Sequence, residues 1–229
     1  MRHCCTYRRY QLPSDRGRRA LDPDSRYPTY IQIRRLRLRK VDIQGKRQVF
    51  DDIFRIEEAT LRYQRFDGTM SSTFRRLNFV RGDSAAAIVL NTDTERVILT
   101  DQFRYPAYEN GPGWITEIIA GMVDGDDSPE DTIRREILEE TGYQTGHLKH
   151  ITTFYVSPGG TSERVVLFYA EVTNEDKIGK GGGIEVEGED IQLVEPSLEE
   201  LRSMMDSGAI ADAKTIIGAL WLLRERKSQ

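Results

Sequence analysis

The chain has 229 residues, 38% of them hydrophobic, enough to bury the core of one large domain carrying a smaller appendage. A formal net charge of -4 supplies no global basic field for nucleic acid, and no apolar run approaches the roughly 18 residues of a membrane span. Composition therefore describes a soluble globular protein with no nucleic-acid and no membrane partner.

Charge is uneven along the chain. Arg2, Arg8, Arg9, Arg16, Arg18, Arg19 and Arg26 crowd the start against Asp15, Asp22 and Asp24. Those aspartates and the absence of an amphipathic pattern argue against a transit peptide or a nucleic-acid arm, so residues 1–28 read as a poorly ordered Arg-rich extension. The only cysteines, Cys4 and Cys5, are adjacent and too close for an ordinary structural disulfide, which fits a cytoplasmic setting.

Residues 29–80 follow as a separate region. Short β-prone runs fill 41–80, with Asp67-Gly68 as a hairpin signal between two of them, and predict a small antiparallel sheet. The main domain is expected over 81–229. "SAAAIVL" (84–90) and "RVILTDQF" (96–103) read as largely buried strands joined by the polar turn "NTDTE". The Gly/Pro loop "YENGPG" leads into "WITEIIAGM", expected as one strand, and an acidic turn precedes a helix at 129–141.

That helix is marked at both ends. Ser128 is an N-cap, Pro129 suits the first helical position, Asp131 completes a box-like pattern, and Gly142 suits the stop. "HLKHITTFYV" and "ERVVLFYAEV" read as strands flanking the loop "SPGGTS", and "DIQLVEP" as a further strand. "GKGGG" (179–183) reads as a flexible loop. Two closing helices follow, one announced by the capping box of Ser197 and Glu200, the other spanning "AKTIIGALWLLRER". Strands interleaved with few helices give an α+β class with a mixed sheet and a small N-terminal antiparallel sheet.

The helix at 129–141 crowds three carboxylates. Glu136 and Glu140 share a face one turn apart, with Glu139 beside them, and such like charges repel unless a cation or basic side chain neutralises them. Hard carboxylate and carbonyl oxygens suit Mg²⁺ or Mn²⁺. Gly121, just upstream, allows close backbone approach.

Gly121, Arg135, Glu136, Ile137, Glu139, Glu140, Gly142 and Tyr143 fall at the spacing of the Nudix box, Gx5Ex7REUxEExGU, and on them the chain resembles the Nudix family. Asp127 stands where the first glutamate of that motif is usual. The resemblance implies an α/β/α sandwich with a mixed sheet between helices. It further implies that Glu136 and Glu140 hold the divalent ions, with Glu139 assisting, Arg135 orienting them and the Ala120 carbonyl supplying a ligand. "SPGGTSER" (157–164) resembles the loop of ADP-ribose pyrophosphatases, which implies Glu163 as general base. "DQFRYPAYENGPGWITEIIAGM" (101–122) is similar to a segment whose arginine and glutamate, matched by Arg104 and Glu117, contact substrate, and Tyr105, Tyr108 and Trp114 offer faces for a nucleobase or for the core.

The activity implied is Mg²⁺-dependent hydrolysis of ADP-ribose to AMP and ribose 5-phosphate. The C-terminal segments resemble hydrolases of GDP-mannose and other nucleoside-diphosphate sugars, which keeps that alternative open, and a non-catalytic sensor of ADP-ribose is a third. Glu185, Glu187, Glu189 and Asp190 read as a solvated acidic loop that could also supply ligands. An N-terminal sheet like that at 49–80 exchanges between subunits in relatives, which implies a homodimer.

Overall fold

The computed structural model describes residues 39–184 and 188–227. The expected extension over 1–28, the start of the 29–80 region, both cysteines, Glu185 and Glu187 lie outside the described residues.

Three strands, β1 (Val41–Asp51), β2 (Arg55–Tyr63) and β3 (Phe74–Val80), make an antiparallel sheet in the order β1-β2-β3. The turn between β2 and β3 forms where Asp67-Gly68 predicted it, with the Thr69 amide donating to Asp67 Oδ1 at 2.9 Å. Register is pinned electrostatically as well as by the ladder. Buried Glu58 on β2 accepts from Arg47 Nε on β1 at 2.7 Å and pairs with Arg75 on β3, so a slip of one residue would strand that carboxylate.

The main sheet is mixed. Its path runs β10 (Gln192–Val194), β5 (Arg96–Phe103), β4 (Ser84–Asn91), β9 (Arg164–Val172), β8 (Leu148–Tyr155); β4 and β9 pair in parallel and the other pairs are antiparallel. All eight residues of β4 are buried, as the continuous run "SAAAIVL" implied. Alternation divides them: Ala86, Ile88 and Leu90 pack on one face with Leu201, Ala219 and Leu222, while Ala85, Ala87 and Val89 pack on the other with Ile133 and Ile137.

Those partners sit on the helices. α2 (Pro129–Thr141) covers one face and α3 (Leu198–Asp206) with α4 (Ala213–Lys227) the other, so the α/β/α sandwich expected from the sequence is formed. α2 starts and stops where its caps dictate. Ser128 Oγ accepts from the Asp131 amide at 3.1 Å, and Gly142 takes the left-handed conformation at φ 77°, which a side chain would strain.

One expected strand is two. "WITEIIAGM" divides into β6 (Trp114–Glu117) and β7 (Ile119–Met122), broken at Ile118. β4 and β5 pair over only three residues before diverging; β6 then lines the edge of β5 and β7 the edge of β4. Ile118 is buried where the chain crosses the split, and its amide donates to Thr215 Oγ1 of α4 at 2.9 Å, replacing the ladder bond lost at the break. A short helix, α1 (Tyr105–Tyr108), occupies part of the segment expected as a loop. The stretch 179–183 is also more than a loop. The Gly179 amide donates to Gly142 O at 3.0 Å and the Gly182 amide to Glu140 O at 2.8 Å, so it satisfies carbonyls at the end of α2.

Candidate active site

The split in the sheet positions the site. Ile133 and Ile137 anchor α2 on the sheet, and Glu140, three residues beyond Ile137, is carried into the same interface and left 2% exposed. Glu136 lies over β7. A Cβ added to Gly121 would sit 2.2 Å from Glu136 Oε1, so the absence of a side chain there makes room for the carboxylate. Ala120 packs its methyl group against the opposite core, which leaves its backbone as its polar contribution.

Charge in this pocket is poorly compensated. Arg135 Nη1 reaches Glu136 Oε1 at 2.9 Å and Glu139 Oε2 at 3.0 Å, bridging those two. Among the described residues Glu140 has no such partner, and its Oε2 is buried with no hydrogen bond. Burial, reinforced by Glu136, Glu189 and Glu117, pushes the Glu140 carboxyl up to about 9 against the relief from Arg104. Burial likewise raises Glu136 to about 7, offset by Arg135 and reinforced by Glu139 and Glu189.

Glu189 therefore faces the cluster, although the sequence favoured a solvated loop. Its Oε2 accepts from the Ile184 amide at 2.9 Å.

Among the described residues no three carboxylate, imidazole or thiol side chains already close on a single point at ligand distance. The donor set nevertheless fits a hard divalent cation: an orphaned carboxylate oxygen, two carboxyls whose ionised forms burial disfavours, and no soft donor among them.

Arg104 and Glu117 are brought together. Glu117, 4% exposed at the end of β6, accepts from Arg104 Nε at 2.8 Å and pairs with Lys214 at the start of α4; Lys214 also meets Asp212 Oδ1 at 3.1 Å. Lys214 gave no local signal in the sequence, because its partner lies 97 positions away. It puts a second cation beside the split.

Glu163, just before β9, accepts from Ser84 Oγ at 2.8 Å and lies 3.7 Å from Arg81 Nη1; Ser84 pairs with Met122 of β7, next to the Gly121 that makes room for Glu136. Trp114 pairs across strands with Phe103, and it is three residues from Glu117 on one strand, which turns the two side chains to opposite faces. Tyr105, Tyr108 and Trp114 are exposed rather than core, with Phe103 and Tyr108 rings 5.8 Å apart.

A carboxylate-bearing helix set against a split mixed sheet is an arrangement able to hold a divalent cation beside a cleft. The family model of the NUDIX domain matches residues 80–216, more than half the chain, and the chain belongs to the Nudix family. The GDP-mannose pyrophosphatase of Pectobacterium atrosepticum is 39% identical over 179 residues, 77% of this chain and 91% of that protein. The GDP-mannose pyrophosphatase of Escherichia coli strain K12 is 36% identical over 169 residues, 73% of this chain and 86% of that one. The crystal structure of an ADP compounds hydrolase shares the fold with a TM-score of 0.62 at 18% identity, over 81% of this chain and 93% of the other.

Proposed function

We propose that the chain hydrolyses the pyrophosphate bond of a nucleoside-diphosphate sugar, with Mg²⁺ or Mn²⁺ held by Glu136, Glu139, Glu140, Glu189 and the Ala120 carbonyl. The observation that carries this reading is Glu140 Oε2, buried beside Glu136 without a hydrogen-bond partner among the described residues. An unsatisfied acceptor of this kind costs stability, and a hard cation is the group that offsets both its burial and its charge. When bound, the ion neutralises the diphosphate oxygens and activates a water for attack.

The chain's own groups do the rest. Arg104 presents a guanidinium to phosphate oxygens, and Glu117, gripped from two sides by Arg104 and Lys214, fixes that presentation. Arg135 orients Glu136 and Glu139 together. Glu163 takes the proton from the attacking water, Ser84 engaging one of its oxygens.

Two substrates stand level. The relatives named GDP-mannose pyrophosphatase support GDP-mannose, and they align with most of this chain. The resemblance of 101–122 and 157–164 to ADP-ribose pyrophosphatases supports ADP-ribose. Product analysis with each in Mg²⁺, beside UDP-glucose and NADH, separates them: AMP with ribose 5-phosphate marks one, GMP with mannose 1-phosphate the other. Release of no nucleoside monophosphate from any of the four would sink the reading, and tight calorimetric binding without turnover would assign a sensor instead.

The assembly proposed is a homodimer built through the β1–β3 sheet. Val41, Ile43, Val49 and Phe50 lie exposed along β1, as apolar area that a second copy would cover. Light scattering on the eluting protein should give twice the mass of one chain.

A further inference from the structure

The strap 179–183 and Glu189 after it are tied together beside α2. The amide of Gly183 donates to Glu139 O at 3.2 Å, one carbonyl away from the Gly182 to Glu140 bond, so two consecutive amides fasten the strap to the last turn of the glutamate helix. From the same residues the chain grips Glu189: the next amide, Ile184, donates to Glu189 Oε2 at 2.9 Å. Gly183 itself sits at φ +80° with the Glu189 side chain lying over it. A Cβ there would stand 2.7 Å from Glu189 Oε2, 2.8 Å from Glu189 Cβ and 3.0 Å from Ile191 Cδ1.

Neither atom of Glu189 is the far end of a chain with somewhere to go. Its oxygen is held by Ile184, and its Cβ is fixed to the backbone, so a methyl group at residue 183 displaces the carboxylate or the strap.

We propose that Gly183 and the Ile184 amide form a cradle that sets the Glu189 carboxylate against the glutamate helix, making Gly183 a positioning residue for the cation-holding set. The inference rests on the metal-dependent reading above and adds to it a residue that touches neither ion nor substrate. Partners that orient a metal ligand are typically worth about tenfold or more in metal affinity when lost.

The test is Mn²⁺ binding to the full chain, read as loss of the free-ion electron paramagnetic resonance signal, with Mg²⁺-activation curves in parallel. Gly183→Ala should weaken Mn²⁺ binding about tenfold, and Glu189→Gln should do the same. The double variant should lose no more than Glu189→Gln alone, because the glycine acts through that carboxylate. Gly208→Ala is the control: Gly208 has φ +76° and open space around its Cβ position at the end of α3, so it imposes similar backbone strain away from Glu189. Its Mn²⁺ affinity should match the wild type.

Unchanged Mn²⁺ affinity in Gly183→Ala, equal weakening by Gly208→Ala, or additive losses in the double variant would each overturn the cradle. Glu140→Gln separates this failure from failure of the underlying reading. If Glu140→Gln abolishes ion binding while Gly183→Ala does not weaken it, the cradle is wrong and the metal site stands; if Glu140→Gln binds ions normally, the metal reading falls first.

Discussion

Individual side chains at the split in the sheet work against the stability of the fold they belong to. Gly121 shows how little room is left: an alanine there would force Glu136 aside, and displacement of a catalytic group by about 1 Å typically costs about 100-fold in rate. Gly121→Ala should therefore lower kcat by about that factor with a nearly unchanged circular dichroism spectrum. Glu136 and Glu140 give a pH dependence with a defined sign. Their carboxyls are raised from 4.5 to about 7 and about 9, so the folded state keeps protons that the unfolded chain releases. Stability of the metal-free protein should fall as pH rises from about 4.5 towards 9, and added Mg²⁺ should restore more of it at the alkaline end. Thermal melts across that range with and without Mg²⁺ check it; a metal-free melting temperature that climbs with pH would contradict it.

At the level of elements, α2 joins packing to chemistry. Ile137 is fully buried on the sheet and lies one turn from the carboxylates, so Ile137→Ala should cost about 2–5 kcal/mol in urea unfolding. α2 was legible in the sequence to the residue, because Ser128, Pro129 and Gly142 are local signals of where it starts and stops. β4 and β5 were legible for a similar reason, since a continuous apolar run bounded by turn residues admits few readings. The break between β6 and β7 was not. "WITEIIAGM" carries no turn residue at Ile118, and what ends the ladder there is the divergence of β4 from β5 and a bond to Thr215, neither of which leaves a mark within the segment. The same limit hid Lys214 and made the strap 179–183 look free: Gly-rich composition announces backbone latitude and is silent about which carbonyls that backbone will reach.

For the molecule as a whole, the sandwich brings to one place groups that are far apart in sequence: Arg104 and Glu117 from the β5 to β6 segment, the glutamates of α2, Glu189 before β10 and Lys214 at the start of α4. The small β1–β3 sheet supplies none of these contacts and leaves Val41, Ile43, Val49 and Phe50 of β1 exposed, the surface that the proposed homodimer would cover. The proposed chemistry turns on Glu140, whose buried Oε2 has no hydrogen-bond partner among the described residues. Glu140→Gln, an isosteric change that removes the charge, should retain the fold, lose measurable Mn²⁺ binding and lower turnover of GDP-mannose or ADP-ribose by at least about 1000-fold, the scale on which a metal-activated water and its electrostatic support contribute. A well-folded Glu140→Gln protein that binds Mn²⁺ and turns over substrate at the wild-type rate would contradict it.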